Sequence, residues 1–166
     1  MHRRISILVA VLAVSIATAA SGQLLTFNAI LTGSNEVPPV ETDTMGRSRV
    51  VFDIQGGLAA AATFRLDVFD GVRATQAHFH CAPAGTNGPI VAFLAGFHDR
   101  GWDLNGQWAS ATLTDANVLP TDDPACPTEI NNLTDLARAA FQGNIYVNVH
   151  TIAHGGGEVR GQLTRP

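Results

Sequence analysis

The chain has 166 residues, a formal net charge of −4 at pH 7, two cysteines and no lysine. Beyond the first four residues its arginines are scattered, and an acidic chain without a basic cluster is a poor partner for nucleic acid. Once a leader is set aside, the length is that of one domain on the usual scale of roughly 100 to 200 residues, enough for a single hydrophobic core.

The chain opens with "MHRR", the apolar run "ISILVAVLAVSIATAA" and then small residues, which predicts a secretory signal peptide over residues 1–22 and a mature domain over 23–166. Ala17-Thr18-Ala19 fits the cleavage pattern and Ala20-Ser21-Gly22 fits nearly as well, so the cleavage point stays open. The apolar run falls short of the roughly 20 residues that span a bilayer, and no second one follows. The expected product is secreted or periplasmic, with no membrane span.

Alternation with a period of two then recurs between Gly, Pro, Asn and Asp punctuation. It predicts strands over residues 24–31, 47–54, 61–69, 74–81, 89–97, 107–114, 144–150 and 158–164. Many short strands with turns between them indicate an all-β antiparallel sandwich or barrel. "NNLTDLARAAFQGN" alone has helical spacing, at Leu133, Leu136, Ala137 and Ala140, with Asn or Thr as a cap and Gly143 as a stop. Asn132-Leu133-Thr134 also matches the glycosylation sequon, which matters only in a eukaryotic source. Cys81 and Cys126 are expected to form one disulfide, because an exported chain meets an oxidising compartment; two free buried thiols are the alternative.

In a strand, residues two apart share a face. Gln76, His78 and His80 therefore oppose Ala77, Phe79 and Cys81, while Tyr146, Asn148 and His150 oppose Ile145, Val147 and Val149. Both strands carry histidine out of phase with the apolar set, which places the imidazoles on the outer surface of the sandwich. If the two strands are neighbours, His78, His80 and His150 converge on one metal ion, at about 2.0 to 2.1 Å per bond. His154, in the glycine-rich turn "TIAHGGGE", is either a fourth ligand or a turn residue, and His98 reads as a salt-linked loop residue. Imidazole donors outside the cytoplasm point to copper or zinc as the cofactor. Cys81 faces away from the histidines, which disfavours a blue-copper centre. No serine-nucleophile motif and no phosphate cradle are visible.

Three stretches together, "GSNEVPPVETDTMGRSRVVFDI", "AHFHCAPAGTNGPIVAFL" and "GNIYVNVHTIAHGGGEVRGQL", resemble the chordin-type (CHRD) domain over nearly the whole mature chain. That resemblance implies an extracellular, single-domain Greek-key β-sandwich of immunoglobulin or copper-zinc superoxide dismutase type with one short helix. In the dismutase a His-x-His strand and a later histidine hold copper outside the barrel, but nothing here matches its zinc-binding loop. Glu158 and Arg160 share a face of the last strand. They either orient a metal-bound histidine or form a surface ion pair; Asn148 and Tyr146, on the histidine face, either hydrogen-bond a ligand or border water. The leading expectation is a metal-binding module for one copper or zinc ion. A module that binds another extracellular protein is second, and a copper redox enzyme third.

Overall fold

A computed structural model of the chain describes residues 22–166. The expected signal peptide therefore lies outside the described residues, except for Gly22. The elements in chain order are β1 (Gln23–Thr32), β2 (Met45–Gln55), β3 (Leu58–Cys81), β4 (Ile90–Ala95), β5 (Trp102–Leu113), α1 (Leu133–Phe141), β6 (Ile145–Thr151) and β7 (Val159–Gln162). No helix among the described residues is long and apolar enough to cross a membrane.

The strands form one antiparallel sheet in the order β2-β1-β7-β6-β3-β4, and β2 also pairs with β3, so the sheet curls back on itself into a barrel-like or sandwich-like body. Its interior takes the in-phase residues that alternation predicts: Phe27 meets Phe52 edge-on at 5.8 Å, and Phe64 meets Phe79 at 6.3 Å. Asn132 caps α1 by accepting the Asp135 N–H at 3.0 Å, and the chain leaves the helix through Gly143 at φ +77°. The helix packs on β3 and β6 with Leu133 and Leu136 fully buried. Burying two leucines is worth about 3 to 5 kcal/mol, which outweighs the marginal intrinsic stability of nine helical residues.

One expectation is corrected. Residues 61–69 and 74–81 are not two strands but the halves of the 24-residue β3. Asp70 and Arg73 adopt positive φ there, at 52° and 54°, and pairing with β5 slips on both sides of Gly71. The strand bends at that point and changes partners. Its first half pairs with β2 and its second with β6 and β4, while β5 follows the outer edge past the bend. That second half carries His78 and His80.

Cys81 at the end of β3 is bonded to Cys126, closing a separation of 45 residues. Converting both cysteines to serine is expected to lower the unfolding free energy by about 3 kcal/mol, through the loop entropy returned to the unfolded chain. Denaturant titration under oxidising conditions checks it: an unchanged midpoint would mean that the crosslink contributes nothing.

Candidate metal site

The register builds the site. Phe93, His78, Asn148 and Arg160 form one row across β4, β3, β6 and β7, and Ile90, His80, Tyr146 and Gln162 form the next. His150 lies opposite Gln76, one step diagonal from His78. The ring centroids of His78 and His150 are 4.8 Å apart, those of His78 and His80 5.5 Å, and those of His80 and His150 6.1 Å. One nitrogen from each ring lies within 4.8 Å of one nitrogen of each of the others. His154 is not part of that group. Its backbone shapes the turn instead, with N–H on the Thr151 hydroxyl and carbonyl receiving the N–H groups of Thr151 and Gly157. His98 also stands apart and stacks on Trp102 at 4.3 Å.

The expected outward exposure is corrected. The histidines do lie opposite the apolar core, but His78, His80 and His150 are only 0, 9 and 7 % exposed. Segments between the strands cover them. His80 donates its Nδ1–H to the Gly88 carbonyl at 2.9 Å, and His150 donates its Nδ1–H to the Gly155 carbonyl at 3.0 Å. A carbonyl only accepts, so both rings carry the proton on Nδ1 and present Nε2 as a lone pair. His78 Nδ1 stands 3.1 Å from His150 Nε2. The Nε2 atoms of His78 and His80 are buried without any hydrogen-bond partner among the described residues. Such orphaned atoms are rare, and each needs a reason.

Burial first, and then repulsion from His150 and His80, pushes the His78 pKa down to about 3. Burial takes His80 down to about 4 against the opposing pull of the Gly88 carbonyl, and lowers His150 against that of Gly155. All three rings are thus neutral at pH 7, the form that ligates metals.

A polar layer supports these rings. Tyr146 stacks on His80 at 4.9 Å with planes 9° apart, and the same ring takes the Arg160 guanidinium 3.4 Å from its centre. Arg160 is only 2 % exposed and donates to Asn87 Oδ1 at 3.1 Å and to the carbonyls of Thr86 at 2.7 Å and Pro83 at 3.3 Å. It thereby pins the 82–89 segment whose Gly88 holds His80. The Gly88 N–H reaches the Tyr146 hydroxyl at 3.2 Å, and a Cβ on Gly88 would run into the Cys81 carbonyl. Glu158 is buried elsewhere, accepting from the Thr42 hydroxyl at 2.6 Å. Burial alone would raise its pKa, but hydrogen bonds from Thr151, Thr42 and Thr44 outweigh it and hold the carboxyl low.

Glu36 lies in the connection between β1 and β2. Here it is 6 % exposed and accepts the Asn148 Nδ2–H at 2.6 Å. Burial raises its pKa to about 7, against the opposing charge of Arg160. Gly157, at φ +131°, leaves the space its carboxylate fills. The only signal for this role was an acid set into an otherwise apolar "EVPP" stretch, which no periodicity test detects.

The sequence model of the CHRD domain matches residues 27–163, almost all of the described chain. The chain belongs to the CHRD domain family. Within this CHRD domain the match spans every strand that carries a histidine of the cluster, together with Glu36 and Arg160. No curated protein and no solved structure gives a match to the chain.

Proposed function

We propose that this CHRD domain is a metal-binding module of an exported protein, holding one copper or zinc ion between His78, His80 and His150. The observation that carries the reading is the meeting of three neutral imidazoles, one nitrogen of each within 4.8 Å of the others, with His78 Nδ1 3.1 Å from His150 Nε2 and the His80 Nε2 buried and partnerless among the described residues. A cation among the three rings satisfies the otherwise unpartnered His80 Nε2 lone pair, and the Gly88 and Gly155 carbonyls fix ring orientation as carbonyl partners of metal-bound imidazoles commonly do. Secretion or periplasmic delivery is supported by the basic-apolar leader in the sequence and by the Cys81–Cys126 bridge. A His-x-His strand beside a later histidine strand also supports the comparison with immunoglobulin-like and dismutase-like Greek-key folds. Arg160 and Asn148 then serve as positioning residues, acting through Tyr146 and through the backbone of β6.

Titrating the metal-free protein with copper and with zinc is expected to give one ion per chain. In the His78→Ala/His80→Ala double variant, affinity for the ion should fall by at least about 100-fold. Equal stoichiometry and affinity in parent and variant would defeat the reading.

A further inference from the structure

Resting on that reading, we infer that the three-histidine pocket selects monovalent, cuprous copper over divalent zinc or cupric copper, because a neutral three-nitrogen donor set is buried beside a guanidinium that makes no ion pair among the described residues. Four observations support this.

The first is the donor set. The group contains three imidazoles and neither a carboxylate nor a thiolate among the described residues. Cys81 is committed to the disulfide, and His154 stands outside the group. The chain therefore offers a cation three neutral nitrogens and no negative charge.

The second is burial. The cost of moving an ion from water into a poorly polarisable site grows with the square of its charge, so a dication meets about four times the penalty of a monocation. With rings at most 9 % exposed and Phe93 edge-on to His78 at 4.6 Å, the site sits on the side of that balance where charge decides.

The third is the neighbouring charge. Arg160 donates to one side-chain amide oxygen and two backbone carbonyls, all neutral, and no ion pair engages it among the described residues. It lies 3.4 Å from the centre of the Tyr146 ring, which in turn stacks on His80 at 4.9 Å. Repulsion from this fixed cation is twice as large for a dication as for a monocation. The buried Glu36 carboxyl offsets part of this repulsion, but it accepts from Asn148 and is not part of the donor group.

The fourth is coordination number. Zinc held by three protein ligands takes a water as its fourth, and cupric copper prefers a tetragonal set, so each needs donors beyond the three imidazoles. A filled-shell monovalent ion accepts two or three nitrogens without a further donor.

The test is an anaerobic titration of the purified protein with Cu(I) against a chromogenic chelator, with Zn(II) and Cu(II) titrated in parallel. One Cu(I) per chain is expected, with a dissociation constant about 1,000-fold below that for Zn(II), and with the bound copper remaining silent in electron paramagnetic resonance after exposure to air. His80→Gln, which keeps a polar side chain at the position, should lose most of this affinity. Zn(II) or Cu(II) bound as tightly as Cu(I) through the same histidines would overturn the charge selectivity and leave the metal-binding reading intact. Failure to retain any of the three ions would remove both.

Discussion

Replacing Arg160 with methionine is expected to lower the unfolding free energy by about 4 kcal/mol, read as an earlier midpoint in chemical denaturation. The side chain is among the largest fully buried ones in the molecule, and it donates to Pro83, Thr86 and Asn87 at once. Each acceptor left without a donor costs about 1 to 3 kcal/mol, and the lost stacking of a cation on Tyr146 adds about 1 kcal/mol or more. Relaxation of the 82–89 segment toward water returns part of this, and methionine refills part of the volume. The same change loosens the Gly88 carbonyl, so metal affinity should fall with stability. A midpoint at the parental value would mean that other contacts hold the segment down.

Acid is expected to destabilise the metal-free protein by an amount of similar size. Folded, His78 and His80 take up protons only near pH 3 and pH 4; unfolded, they do so near 6.5. Between those values the unfolded chain binds more protons, so stability falls as pH drops below about 6.5, and these rings cost nothing above it. Glu36 acts in the opposite sense. Its folded pKa of about 7 exceeds its ordinary 4.5, so its contribution is present at low pH and is lost as pH rises through that window. Two imidazoles against one carboxyl leave a shallow net slope between about 4.5 and 6.5, and below 4.5 the histidines act without opposition. With solvent screening allowed for, the loss by pH 3.5 is on the order of 4 kcal/mol. Thermal midpoints measured against pH check it. His80→Gln should flatten the curve, whereas the low-lying carboxyls of Asp67 and Glu158 contribute alike to parent and variant. A parental curve without the drop would contradict neutral buried imidazoles.

Much of this was written in local pattern. Phe27, Phe64, Leu66 and Val147 alternate with polar neighbours, and that alternation alone puts them inside. The same parity separates His78, His80 and His150 from the core, and the β3–β6 register brings them together. What parity cannot express is how the segments between strands fold over the second face. A residue opposite the core reads as solvated until something covers it, and the covering contacts come from Gly88, Gly155 and the Glu36 turn, all far from periodic sequence. Arg160 and Glu158 share a face by alternation, yet the Arg160 hydrogen-bond acceptors and the Thr42 donor to Glu158 come from segments more than 70 residues away. The continuity of β3 was hidden for a different reason. Asp70 and Arg73 take a backbone conformation that favours glycine, and only Gly71 between them marked a break.

All seven residues of β6 are buried, aliphatic side chains on one side and Tyr146, Asn148 and His150 on the other. A central strand sealed on both sides cannot swing aside to admit or release an ion without global unfolding. On the proposed metal-binding reading, passage to the imidazoles runs past the connecting segments around Gly88 and Gly155 or past Phe93, and the breathing of those parts, rather than affinity alone, would set an ion's residence time.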